Sequence, residues 1–189
     1  MSVELIKAVP LIPLLLVLGA GCVAAFTDIR SFKIPNYITL PLLLAGILFH
    51  AFLPTGQGIS FGLLGAVAGF GCLILFYILG GVGAGDVKLL TAIGAWIGPP
   101  AIGALFLVAA LLMGLYAAGL AFWQGRLWKE CIKATLILQQ GIAIVKHLGP
   151  EERVEEVVKR DARRKHLVPF AVMVLGGIAV LLAVKFVVR

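Results

Sequence analysis

The chain has 189 residues, of which 61% are hydrophobic and 13% charged, and its formal net charge is +7. Soluble domains contain about 25% charged residues, so this composition excludes an ordinary soluble domain and indicates an integral membrane protein. The basic residues are interleaved with apolar segments and form no recognisable RNA- or DNA-binding module, and we therefore expect no nucleic-acid partner.

Long uncharged segments dominate the chain. No Lys, Arg, Asp or Glu occurs in 8–27, 34–85, 89–125 or 167–184, and a membrane-spanning helix needs about 20 apolar residues. Helix breakers in 54–58 and 98–100 divide the two longest of these blocks. We therefore predict an all-α membrane protein, a single polytopic domain over 1–189, with six transmembrane helices at 8–27, 37–53, 59–80, 86–98, 100–123 and 167–187.

The fourth predicted helix is short. About 12 residues that rise about 1.5 Å each cover about 18 Å, which is less than the roughly 30 Å hydrocarbon core of a bilayer. We expect either that the bilayer thins here or that the helix tilts into a cavity.

The basic residues predict how the helices are oriented. If the first helix runs from outside to inside, 13 of the 16 Lys and Arg residues lie on the inner side, as the positive-inside rule requires. Both termini then lie outside the cytoplasmic (inner) membrane. Asp28 and Asp86 both lie at its cytoplasmic face.

Residues 124–166 form the only sizeable polar segment, which this orientation places in the cytoplasm as a helical segment between spans five and six. Pro150, acidic residues at 151 and 152 and basic residues at 163–165 are typical of a helix whose ends match its dipole. The stretch 126–148 mixes basic with bulky apolar residues, as in a helix on the anionic leaflet. The segment is either a solvated connector or a docking surface for a substrate or partner.

The three cysteines and three histidines are scattered along the chain. There is no Cys-x-x-Cys motif, and no histidine lies near a cysteine at the spacing of metal ligands. We therefore predict no metal site, no disulfide framework and no cofactor.

Asp28 and Asp86 are the only acidic residues at the ends of the apolar segments. Ionisable groups at membrane depth are costly and mark functional sites. Each residue also has a purely structural interpretation: Asp86 as the N-cap of the fourth helix, and Asp28 as the polar residue at which the first helix ends. Neither interpretation explains why both carboxyl groups lie at the same face.

Paired carboxyl groups can carry out acid–base chemistry. At hydrogen-bonding distance the two groups cannot both ionise, so they share a proton. One group can then activate water as a base while the other protonates a leaving amine. Either aspartate can take either role, and no Ser-His or Cys-His arrangement competes with them.

Two motifs resemble those of the type IV prepilin peptidases, which are intramembrane aspartyl proteases of the GxGD type: Asp28 followed by Ile34-Pro35-Asn36, and Gly83-Ala84-Gly85-Asp86-Val87-Lys88. The segment 166–171 is similar to the Pro-Phe segment that enters the last span in that family. The resemblance implies that Asp28 and Asp86 are the catalytic pair. It also implies a prepilin or pseudopilin substrate, cut at the inner face between a short basic leader and a hydrophobic helix, beside a Gly.

Longer members of this family resemble two-part enzymes, with a cytoplasmic cysteine-pair domain between the first spans and an added N-methyltransferase activity. Here about ten residues join the first two predicted spans, and no cysteine pairs occur. The chain is similar to the short, peptidase-only form associated with Flp/Tad-type pili, so neither methyl transfer nor zinc is expected.

Five further residues are predicted to shape the site. Gly83 and Gly85 would let the backbone approach the substrate. Lys88 would either bias the charge of Asp86 or anchor the helix at the interface. The remaining two, Pro35 and Asn36, belong to the turn that starts the second helix.

Two other functions would use the same features. A small proton-coupled transporter would employ both aspartates as a relay, and it would contain paired broken helices around a site near the midplane. A non-catalytic scaffold for pilus assembly would tolerate asparagine at both positions.

Overall fold

The computed structural model describes residues 11–31, 34–53, 57–79, 82–123 and 170–187. These residues form five α-helices and contain no β-strand, so the all-α prediction is confirmed for them. The predicted cytoplasmic segment 124–166 lies outside the described residues. The helices are α1 (Leu11–Ser31), α2 (Asn36–Phe52), α3 (Ile59–Ile78), α4 (Ala84–Trp123) and α5 (Phe170–Val187).

Four of the described helices, α1, α3, α4 and α5, are long and apolar enough to cross a membrane. The other one, α2, is apolar but has only 17 residues. The outer surface of the bundle carries many large hydrophobic side chains, among them Leu15, Leu64 and Val67. A surface of this kind suits contact with lipid, because apolar side chains match the hydrocarbon core of a bilayer.

The end of α1 differs from the prediction. The helix continues to Ser31 instead of ending at residue 27, so Asp28 lies inside its last turns. No Gly or Pro occurs from Cys22 to Ile34 to stop the helix. In addition, Asp28 is buried and contacts α5, whereas the predicted boundary assumed a polar residue at the exit of the helix.

The first half of α4 is the centre of the bundle. Its large side chains from Leu89 to Ile97 are almost wholly buried, as expected for a helix that is apolar on every side. Taken over its whole length, α4 packs mainly on α3, and α2 and α5 also pack on it. The first helix, α1, packs mainly on α5.

α3 and α4 approach each other through glycines. A Cβ atom on Gly65 would overlap the carbonyl group of Gly94, and a Cβ atom on Gly94 would overlap the carbonyl group of Gly65. The two backbones therefore touch directly, as small residues allow in membrane helices.

α4 is broken at Gly98, whose φ of 78° and ψ of 174° are not helical. Pro99 and Pro100 follow directly, and neither has an N–H to donate to the preceding turn. The carbonyl groups at the end of the first half of α4 therefore need other donors. A helix break at the predicted position, 98–100, is thus confirmed.

His50 supplies one of these donors. Its Nε2 donates to the carbonyl oxygen of Trp96 at 3.0 Å, and its Nδ1 accepts from the backbone N–H of Gln57 at 3.3 Å. Because a carbonyl only accepts and an amide N–H only donates, this ring is the neutral Nε2–H tautomer. The indole Nε1–H of Trp96 in turn donates to the carbonyl oxygen of Leu42 at 2.8 Å. Two hydrogen bonds therefore fasten α2 to α4 beside the break.

We expect Gly65→Ala to lower the free energy of unfolding by about 1–3 kcal/mol, because the added methyl group forces α3 and α4 apart. The matched control is Gly71→Ala on the same helix, where a Cβ atom would meet nothing within 4 Å. Unfolding in detergent micelles, followed by circular dichroism, measures both variants. Equal stability of the two would contradict direct contact between the backbones.

Candidate active site

Asp28 is buried near the end of α1, where it is 7% exposed. Its Oδ2 accepts a hydrogen bond from the main-chain N–H of Ala171 at 3.2 Å. Ala171 is the second residue of α5, so the donor is one of the amides that a helix leaves unpaired at its start. A carboxylate is favoured at this position because the start of a helix carries partial positive charge. Asp28 thereby joins α1 to α5.

Asp86 lies in the first turn of α4. Its Oδ2 accepts a hydrogen bond from the main-chain N–H of Gly83 at 3.2 Å, and its own N–H donates to the carbonyl oxygen of Gly83 at 3.2 Å. This arrangement resembles a capping box, in which the side chain of the third helical residue accepts a hydrogen bond from the main-chain N–H of the residue before the helix. The interpretation of Asp86 as the N-cap is therefore wrong, since Gly83 precedes the helix and Asp86 is its third residue.

The turn between α1 and α2 packs on the start of α4. A Cβ atom on Gly85 would lie 3.2 Å from the Cβ atom of Ile34, which is itself buried. Beside this contact, the ammonium group of Lys88 donates to Oδ1 of Asn36 at 3.0 Å. Pro35 provides the extended backbone, with φ −75° and ψ 145°, from which α2 starts. Gly85 and Lys88 thus hold this turn against α4.

The residues predicted to shape the site therefore lie around the start of α4, together with Asp86: Gly83, Gly85, Lys88, Pro35 and Asn36. Asp28 lies at the same end of the bundle, because the chain leads from it within six residues to Ile34, which contacts Gly85. Direct approach of the two carboxyl groups stays a prediction.

One contact of this site does not follow from the motifs. The amide of Ala171 is 143 positions along the chain from Asp28, and an amide has no side-chain signature. The sequence signal that lies nearest to this contact is the Pro-Phe segment, because Ala171 directly follows Phe170 of that segment.

The two aspartates offer acid–base chemistry. Each carboxyl group is oriented by a main-chain N–H, and carboxyl groups held in this way can exchange protons with water or with a reacting peptide. Within the described ranges, no three His, Cys, Asp or Glu side chains group together as metal ligands.

Comparison with known proteins leads to the same region of the chain. The profile of the type IV leader peptidase family matches residues 15–137, a range that contains both aspartates and the turn between α1 and α2. The chain belongs to this family.

Several relatives carry the name prepilin leader peptidase/N-methyltransferase. The protein from Dickeya chrysanthemi is 42% identical over 120 residues, which are 58% of this chain and 40% of that protein. The protein from Bacillus subtilis (strain 168) is 39% identical over 137 residues, or 68% of this chain and 50% of that protein. This chain of the leader peptidase family thus covers half or less of the length of these two relatives. No solved structure matches it.

Gly85→Val is expected to lower the free energy of unfolding by about 1–3 kcal/mol, because the larger side chain displaces Ile34. The matched control is Gly103→Val, also on α4, where a Cβ atom would meet nothing within 4 Å. Both variants place the same β-branched residue in a helix, so their difference isolates the contact with the turn. Thermal unfolding in detergent measures this difference, and identical midpoints would refute the contact.

Proposed function

We propose that this chain is a membrane-embedded aspartyl endopeptidase that removes the short basic leader from type IV prepilin-like proteins. One observation carries the proposal: Asp28 and Asp86 lie at one end of the bundle, and the Oδ2 atom of each accepts a main-chain N–H at the start of a helix. Membership of the type IV leader peptidase family supports the class of substrate.

In the proposed reaction, one aspartate takes a proton from water, and the water oxygen attacks the carbonyl carbon of the scissile peptide bond. The other aspartate gives its proton to the nitrogen as the C–N bond breaks. Water is thereby divided between the new carboxyl and amino ends, and the aspartates have exchanged protonation states. Asp28 and Asp86 can fill either role.

The neighbouring residues position this chemistry. The hydrogen bond from Lys88 to Asn36 ties the start of α4 to the start of α2, so it restricts movement of the turn that bears Asp86. Gly85 lets the turn at Ile34 come close enough to support the same site. Catalytic groups need such support, because small displacements cost large factors in rate.

We infer six membrane crossings, with the two parts of α4, 84–97 and 99–123, crossing separately on either side of Gly98. The excess of Lys and Arg on one side of the membrane then supports a cytoplasmic location for the aspartates and for the segment 124–166, with both termini outside. A leader that remains in the cytosol would meet the site at that face.

A proton-coupled transporter would contain broken helices in both halves of the chain. Among the described helices, α4 is the one with a non-helical residue in its interior, while α1, α2 and α3 carry no such residue. This asymmetry favours the peptidase.

We propose that the chain cleaves the leader and does not transfer a methyl group. α1 and α2 are joined by four residues, 32–35, which leaves no room there for a cysteine-pair domain. Incubation of the purified chain with a prepilin and S-adenosylmethionine should give a cleaved but unmethylated product. A mass increase of one methyl group on the new amino end would overturn this part.

Asp28→Asn and Asp86→Asn, made separately, should each lower the rate of leader cleavage by about 100- to 10,000-fold, because an amide cannot exchange the proton. Asparagine keeps an oxygen that can accept from the same main-chain N–H, so the fold should survive. Cleavage of a prepilin in membrane vesicles, followed by mass spectrometry, measures the loss. The control is a chain with Ser at all three cysteines, which should cleave normally. Full cleavage by either Asn variant would exclude the dyad.

The proposed topology predicts where single cysteines react. In intact cells, a membrane-impermeant maleimide should label Thr55→Cys in a chain that lacks the native cysteines, because 54–58 lies outside. Cys131, kept as the single cysteine, should react after lysis only. Labelling of Cys131 in intact cells would reverse the orientation.

A further inference from the structure

A groove of about 540 Å³ lies beside the start of α4, between α2, α3 and α4. The lining positions recur at intervals of three and four residues in each helix, so each helix contributes one face over about two turns. Two turns correspond to a length of about 10 Å. The walls are mostly apolar and include Leu40, Leu43, Phe70, Ile74 and Val87.

One end of the groove is polar. α2 and α4 start at this end of the groove, which we call its mouth, and α3 finishes there. The lining residues Asn36, Tyr77 and Lys88 therefore lie at the mouth. Leu43 and Phe70 lie at the far end. The ammonium group of Lys88 is bonded to the neutral amide of Asn36, a bond that leaves its positive charge in place. The groove is thus mostly apolar in depth, where Thr39 and Thr91 are its polar lining residues, and basic at its mouth.

The mouth of the groove adjoins the aspartate site. Ala84, Val87 and Lys88 line the groove, and Asp86 belongs to the same helical turn. A peptide that is cut at Asp86 has to continue past this turn on one side of the scissile bond. The groove offers an adjoining path with apolar walls.

Building on the proposed function, we propose that this groove binds the apolar part of the substrate that follows the scissile bond, as about two turns of helix. An apolar groove recognises a helix through side chains three and four residues apart. Lys88 repels the basic leader from the mouth, and no acidic residue is among the described residues that line the groove. The leader therefore stays outside, and the bond between leader and helix is held near Asp86.

Two leucines of α2 provide a matched test. Leu40 lines the groove and is 54% exposed, whereas Leu44, one turn further along and 55% exposed, lies outside the lining. In Leu40→Trp the larger ring fills the groove, so KM should rise about tenfold, which corresponds to about 1.4 kcal/mol of binding, while kcat changes little. Leu44→Trp should leave both constants unchanged.

The substrate in this test is a reporter with a short basic leader, a Gly before the scissile bond and an apolar helix of about 20 residues. The full chain is reconstituted in vesicles of phosphatidylethanolamine and phosphatidylglycerol. Equal KM values for Leu40→Trp and Leu44→Trp would overturn the proposal.

A second experiment needs only a small side-chain change and therefore remains informative if Leu40→Trp misfolds. Leu40→Cys or Leu44→Cys is made in a chain that has Ser at its native cysteines and carries Asp86→Asn to prevent turnover. The reporter carries one cysteine, either one turn into its apolar helix, at the depth of Leu40, or in its leader. Oxidation should link Leu40→Cys to the helix cysteine, and the other three combinations should stay unlinked.

Other occupants give other results. A lipid chain in the groove would leave Leu40→Cys unlinked to the reporter, and a bound leader would link it to the leader cysteine; either outcome overturns the proposal. Failure of the proposed function is distinguishable, because the chain with Asp86 intact would then leave the reporter uncut, or the Asp86→Asn chain would still cut it, whatever the groove variants do.

Discussion

Each aspartate in this apolar bundle depends on a main-chain donor. Asp28 finds its donor in α5, and Asp86 finds it in the residue before its own helix. A buried carboxylate without a partner costs several kcal/mol, so the hydrogen bond of the buried Asp28 limits which helices can be neighbours at this end. α1 has to lie beside the start of α5, while the bond from Gly83 to Asp86 supports the first turn of α4.

The remaining contacts hold the helices that carry these two hydrogen bonds in place. The first half of α4 is enclosed, and the contact between Gly65 and Gly94 presses it against α3. Its far end is fastened to α2 by His50 and Trp96. A short helix that is packed along its length and held at both ends presents its first turn, with Asp86, in one place. Rigid support of this kind is what a catalytic site needs.

The predictions from sequence succeeded where a local pattern decides the structure. Apolar runs and breakers are local signals, so the helical class and the break at 98–100 were predictable. The motif residues lie together around the start of α4, and their role in a site stays a prediction. The pairing of Lys88 with Asn36, which are 52 positions apart, was not predictable, because it depends on how α2 packs beside α4.

The two features at Asp28 that the sequence did not predict have a common physical origin. Hydropathy ended α1 at residue 27, since a charged residue usually marks the exit of a helix, but burial against α5 keeps Asp28 within the helix. The same tertiary contact uses the amide of Ala171. A backbone donor has no signature in the amino-acid sequence, so packing alone reveals it.

The break in α4 has a consequence for the whole chain. Ala84–Trp123 comprises 40 residues, and a straight helix of that length would be about 60 Å long, twice the roughly 30 Å hydrocarbon core. A rod of this length could not be enclosed by one bilayer, and the positive φ of Gly98 lets the chain change direction about a third of the way along. In the proposed topology, this change of direction sets the parity of every later segment. In that proposed topology, the backbone conformation of one glycine would determine the side of the membrane on which 124–166 emerges.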